Sequence, residues 1–340
     1  MLRIFSAFAA AVAAIATTGA MAQTRANGET LRIQFYSGAM GSNLPGVVAD
    51  RQGFCEKYNF KCEFVTLNAG AIGLQALVGK SIDVAITGIN EASAAAQEGA
   101  RVMMVGAHQV AVAQDLVIQS NLNLPNRDKG YPAVIQDFKG MKIGVTSRGS
   151  ASEQIFAEML KEAGLPADYV TYVATGSPVT TYASLTVGKQ IEAAITYEPV
   201  IQLCNYHKKC EVLVSVTDGD GPQAMRDQRS AFYSILMHKD LLDSNPNLAH
   251  AYVAAMRDAN AWVSDPANFP AVREIAQSLV DFSTVQDGDK IIDGWVKVNI
   301  ANLGDLSVNR DNVAKILQRS GRTVTVDQFV WDGAPRMQAN

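Results

Sequence analysis

Short apolar runs alternate with amphipathic stretches along most of the chain, in the order strand, loop, helix. Residues 31–36 form a β-like run, and 44–57 have helical spacing. Residues 62–67 and 82–86 are further strands. The helix between them stops at Gly79, a residue suited to left-handed backbone. A helix over 91–98 and a strand over 101–105 follow. The pattern restarts with a strand at 141–145. Ser150 and Glu153 then have capping-box spacing, and Ile155, Phe156, Met159, Leu160 and Ala163 share one helical face. Residues 169–173 and 191–195 are strands, separated by a helix with Ser177 as N-cap and Pro178 in its first turn. This order predicts an α/β protein with mostly parallel sheets flanked by helices.

The two halves resemble each other. Residues 78–87 (VGKSIDVAIT) and 187–196 (VGKQIEAAIT) align without gaps, with seven identities in ten and Asp83 opposite Glu192. Such a match is more than two ordinary helix–Gly–strand joints would share, so two related lobes are expected. Extended apolar runs at 112–119 and 230–237 follow the first and second units, and the chain is expected to cross between lobes through both. Residues 23–118 with 231–340 then make one lobe and 119–230 the other. Beyond Lys239 the pattern is helical, opening with Asn245 as cap and Pro246 as first residue. The residues from Gly333 onward read as frayed.

The start of the chain has another character. Arg3 precedes an Ala-rich apolar run over 4–15, and Ala20-Met21-Ala22 closes the segment. This is the form of a signal peptide over residues 1–22, too short to span a bilayer. A periplasmic, monomeric protein is expected. The four cysteines suit that compartment. Cys55 with Cys62 and Cys204 with Cys210 read as two short-loop disulfides, with a four-Cys zinc site as the alternative, although the spacing is wide for it.

A formal charge of −4 over 340 residues leaves no basic footprint for nucleic acid. There is no Gly-x-Ser-x-Gly elbow, phosphate loop or His-Glu-x-x-His, and the four histidines (His108, His207, His238, His250) have no metal-ligand spacing. No enzyme, cofactor or metal is therefore expected. What remains is a set of small, polar corners after the strands, where open α/β sheets bind ligands. They are Tyr36-Ser37-Gly38, Asn68-Ala69-Gly70, Thr87-Gly88, Ser147-Arg148-Gly149-Ser150, Thr175-Gly176-Ser177 and Tyr197-Glu198. Several lead into helices, whose N-termini attract anions. Arg148 with Ser147 and Ser150 suits a carboxylate or sulfonate. Tyr36 and Tyr197 end corresponding strands and can sandwich a flat or aliphatic body. Asn43, Asn90 and His108 supply polar contacts. Glu198 points the other way, to an amine or to a pairing with Arg148. A small organic anion is the expected ligand.

Three stretches carry a family resemblance: residues 76–85 (ALVGKSIDVA), 138–147 (FKGMKIGVTS) and 193–199 (AAITYEP). In their order and spacing the chain resembles periplasmic substrate-binding proteins of ABC importers, in the nitrate/sulfonate/taurine and thiamine-precursor group. The resemblance implies a bilobal Venus flytrap with two interlobe strands. It implies ligand contacts from the loops after Tyr36, Leu67, Ile86, Val145, Val173 and Ile195, and delivery to a membrane permease with its ATPase. The cysteine-rich motif of the thiamine-pyrimidine synthase branch is not seen here. The alternatives are an enzyme on the same scaffold acting on a pyrimidine-like heterocycle, or a sensor module.

Overall fold

The structure is a computed structural model that describes residues 25–36, 41–67, 69–283 and 285–337. Residues 1–22, where a signal peptide is expected, lie outside the described residues. The first sheet takes β1 (Thr30–Phe35), β2 (Lys61–Thr66), β3 (Val84–Gly88) and β4 (Val102–Gln109). The second takes β5 (Asp115–Gln119), β6 (Lys142–Val145), β7 (Thr171–Ala174), β8 (Ala193–Thr196) and β9 (Cys210–Val214). The chain then returns to the first sheet for β10 (Tyr233–His238) and β11 (Leu303–Leu306).

The strand orders reveal the kinship of the two lobes. The first sheet runs β11-β4-β10-β3-β1-β2, and the second β7-β6-β8-β5-β9. Set side by side, β2-β1-β3-β10-β4 corresponds to β7-β6-β8-β5-β9. The repeated decapeptides lead into β3 and β8, which hold the same place. Each sheet has a parallel core, β1 with β2 and β3, or β6 with β7 and β8. In each the fourth place is an antiparallel strand, β10 between β3 and β4, or β5 between β8 and β9. Those two strands begin where the chain arrives from the other lobe. The sheets are therefore mixed. A strand's direction leaves no mark in its own residues, so the sequence suggested more parallel pairing than is found.

Local corrections have local causes. Gly53, at φ +74°, breaks the expected 44–57 helix into Leu44–Arg51 and Phe54–Lys57. Gly79 is helical, at φ −75°, and the left-handed residue is Lys80, at φ +58°. Its repeat partner Lys189 does the same at φ +47°, so the turn belongs to the repeat and not to the glycine. Ser150 is the N-cap of the Ala151–Glu162 helix but makes no side-chain cap bond. Its Oγ faces Ser152 Oγ at 2.8 Å, while the Glu153 carboxylate accepts from the Gly149 N–H at 2.8 Å. Ser177 and Asn245 do cap, accepting from the N–H groups of Thr180 and Leu248. The segment from Gly333 is packed at least to Met337: Ala334 is buried, and Met337 N–H donates to the Val308 carbonyl at 3.2 Å.

Both cysteine pairs are bonded, Cys55 to Cys62 and Cys204 to Cys210. The second ties the Val200–His207 helix to the start of β9, at the end of the sheet away from Asp115. The Pro246–Ser264 helix packs on the first lobe. The Gly288–Asn302 helix reaches across to the second, where the Gln286 carbonyl meets His207 Nε2 at 2.9 Å and Gly294 sits on the Gln202 side chain.

Candidate functional site

A cavity of about 370 Å³ opens between the lobes beside the hinge. The first lobe contributes Gly41, Ser42, Gln109 and Tyr233, together with Asn299 and Asn302 from the Gly288–Asn302 helix. The second contributes Asp115, Tyr197, Glu198, Gln202, Asn205 and Thr217. The volume falls in the range usual for small-molecule sites.

Topology places two acids together, Asp115 buried and Glu198 half-buried. Asp115 opens β5 and lies opposite Thr196 at the end of β8, and Glu198 follows two residues later. Asp115 Oδ1 accepts from the Thr217 N–H at 2.9 Å. The Glu198 carboxylate accepts from Gln202 twice, from the side-chain amide at 2.7 Å and the backbone N–H at 3.2 Å. Burial pushes Asp115 up to about 6. Burial first, and then the charge of Asp115, pushes Glu198 up to about 7. Tyr197 and Tyr233 stand beside the acids. Burial holds both phenols above their ordinary range, so both are neutral. Gln114 Nε2 donates to the Tyr233 hydroxyl at 2.9 Å.

A second meeting point lies where β3 ends. Glu91, in the first turn of the Ile89–Gln97 helix, accepts from Thr87 Oγ1. The Gly88 N–H and the Ala151 N–H, the latter at the start of the Ala151–Glu162 helix of the other lobe, lie near enough to favour its charged form. A Cβ on Gly70 would come within 2.9 Å of the Glu91 carboxylate. One acidic side chain thus stands where three strand-end corners and both lobes meet, beside a helix start that a bound anion would otherwise use.

The expected site residues divide accordingly. Tyr197 and Glu198 line the hinge cavity. Gly70, Thr87, Gly88 and the start of the Ala151–Glu162 helix after Ser150 gather at Glu91. Tyr36 and Asn43 clasp each other, with Tyr36 N–H donating to Asn43 Oδ1 at 3.0 Å and Asn43 Nδ2 to the Tyr36 carbonyl at 2.6 Å. His108 Nε2–H donates to the Ser42 carbonyl at 2.9 Å, holding the segment that edges the cavity. Arg148 is turned outward, its side chain 65 % exposed, and binds Glu153 with two guanidinium nitrogens at 2.8 and 3.0 Å. It does not pair with Glu198. Ser147 accepts from the Ser150 N–H at 3.2 Å within its own turn. Gly149 lines an outer interlobe groove with Asn90, whose Oδ1 accepts from Ser320 Oγ at 3.0 Å. Thr175 and Ser177 bond within their own helix start, with Gly176 between them at φ +74°. Ala69 accepts from Gln34 Nε2 at 3.2 Å. Ser37, Gly38 and Asn68 lie outside the described residues.

Asp115, Tyr233, Gln109 and Glu91 were not singled out from sequence. One signal existed: Asp115 is an acid inside the apolar run 112–119, where a carboxylate needs a reason to be buried.

Comparison with known proteins follows from this geometry. Among curated proteins, no sequence matches. A protein of Bordetella bronchiseptica RB50 superposes at TM-score 0.71 and 18 % identity over 89 % of this chain and 94 % of its own. The zinc-bound ligand-binding component of an ABC-type import system from Staphylococcus aureus does so at 0.67 and 18 %, over 91 % and 100 %. The periplasmic aliphatic sulphonate-binding protein SsuA of Escherichia coli does so at 0.66 and 19 %, over 92 % and 94 %. At these identities the likeness shows the fold, the two-lobed periplasmic-binding-protein architecture. The model of the NMT1-like family matches residues 26–279, most of the chain, and the chain belongs to the NMT1-like family.

Proposed function

We propose that this protein is an extracytoplasmic solute-binding component of an ABC importer. It captures a small organic molecule between its lobes and presents the closed form to a permease and its ATPase. The observation that carries the reading is the hinge cavity, walled by both sheets: a ligand touching Gln109 and Asn299 on one side and Glu198 and Gln202 on the other favours the closed arrangement by its differential contacts. The solved neighbours support it, since one is an ABC-import ligand-binding component and another binds aliphatic sulphonates. Export through residues 1–22 and a monomeric periplasmic life fit the same role.

The sulfonate or carboxylate expected from the sequence depended on Arg148 and on the start of the Ala151–Glu162 helix. Arg148 is engaged by Glu153, and the negative Glu91 side chain stands beside the Ala151 N–H. The ligand's charge is therefore left to the groups that line the cavity.

The test is recovery of the ligand. Protein purified under native conditions is denatured, and the released molecule is identified by mass spectrometry. The same molecule added back should raise Tm and be returned unchanged. Chemical conversion of the added molecule would favour an enzyme on this scaffold. Failure to carry or take up any small molecule would refute capture.

A further inference from the structure

The hinge cavity is acidic and has no built-in counter-charge. Among the described residues that line it there is no lysine, arginine or histidine, while Asp115 and Glu198 face it from adjacent strand ends and Asp218 stands at its rim. Arg229, the nearby cation, is turned to the Thr217 carbonyl at 3.1 Å. We infer that the ligand carries a protonated amine or amidine, seated between Asp115 and Glu198 with its body against Tyr197 and Tyr233. This rests on the capture reading above.

Three observations bear on it. An anion entering here would meet two carboxylates with no cation to offset them, and like charges that close together cost free energy in an enclosed site. The amides of Gln109, Asn205 and Asn299 both donate and accept, so they admit either sign and leave the choice to the acids. The two tyrosines offer neutral aromatic faces, which attract a cation as well as stacking on a flat body. Together these features describe a cage for a small organic cation. The selection is by charge at one end and by shape at the other.

The protonation states agree with this. Burial, and then repulsion from neighbouring acids, hold Asp115 up to about 6 and Glu198 up to about 7, so the ligand-free cavity is half-neutralised by protons near pH 6.5. The other titratable groups facing them are Tyr197 at the end of β8, Tyr233 on β10 and Asp218 after β9. The two phenols stay neutral throughout this range. A cation arriving between the acids displaces those protons. Affinity should therefore rise as pH increases from about 5.5 to about 8, with proton release on binding near pH 6.5.

The test uses matched flat probes, benzamidine and benzylamine against benzoate and benzenesulfonate, by thermal shift and calorimetry at about pH 8. Wild type is compared with Glu198→Gln and Asp115→Asn, each of which keeps the shape and removes one charge. Expected is a Tm increase with the two cations alone, and a loss of affinity of about tenfold or more in either variant. Tighter binding of benzoate or benzenesulfonate by wild type, or cation affinity unchanged in both variants, would overturn the inference. The recovered ligand separates the two readings: one without a basic nitrogen removes the cation and leaves capture standing. Binding of no probe of either sign, with no ligand recovered, removes capture itself.

Discussion

Replacing Glu198 by glutamine should make the ligand-free protein more stable at alkaline pH relative to wild type. In the folded protein this carboxyl keeps its proton up to about pH 7, against an ordinary value of 4.5. The unfolded chain releases that proton near the ordinary value. Between the two pH values the folded state binds more protons, so stability falls as pH rises through the window. Each tenfold difference in proton affinity between the two states is worth about 1.4 kcal/mol, which sets an upper bound of about 3.5 kcal/mol. Water in the cavity screens part of this, which leaves about 1–2 kcal/mol. His108, His238 and His250 contribute with the opposite sign, because burial lowers their values and their contribution is lost as pH falls. The difference between variant and wild type cancels them. Urea unfolding of ligand-free protein at about pH 5 and pH 8 measures that difference directly. Glu198→Gln should gain about 1–2 kcal/mol on wild type between the two conditions. Parallel pH profiles, or a gain at the acid end, would show that Glu198 is not held in a protonated, enclosed site.

Glu91→Ala removes the carboxylate that stands at the helix start of the other lobe. An interaction of this kind is worth about 0.5–2 kcal/mol, so the ratio of open to closed forms should rise about two- to thirtyfold, seen as a larger radius of gyration in solution scattering. Arg148→Ala should leave the affinity for the recovered ligand within about twofold, because the guanidinium is outside the cavity and engaged by Glu153; a tenfold loss by calorimetry would restore it as an anion anchor. The paired change Cys204→Ser with Cys210→Ser opens a short loop and should cost about 2 kcal/mol in urea unfolding, with ligand affinity reduced through the loosened 200–207 helix.

How far the sequence could be read depends on what each residue reports. The decapeptide repeat revealed the doubled architecture because both copies serve one joint, with β3 and β8 in matching places. Its glycine misled, since Lys80 and Lys189 carry the left-handed turn. The antiparallel places of β5 and β10 were not legible, because an apolar run reads alike in both directions. The corners holding Gly70, Thr87 and Gly88 come together in the fold, yet the group they share, Glu91, reads in sequence as an ordinary first-turn acid. The hinge cavity draws on residues from 41 to 302, and only Tyr197 and Glu198 sit at a corner that local pattern marks. Arg148 illustrates the converse: a cation at a helix start suggests an anion site, but Glu153, five residues on, reaches it first. Local chemistry was visible, and long-range pairing was not.

Amide hydrogen exchange of the protein with and without its recovered ligand tests capture between the lobes most directly. Binding should slow exchange on both walls at once, in residues 109–115 and 298–302 as well as in 197–205 and 215–218. Protection confined to one lobe, or to surfaces away from these segments, would contradict it.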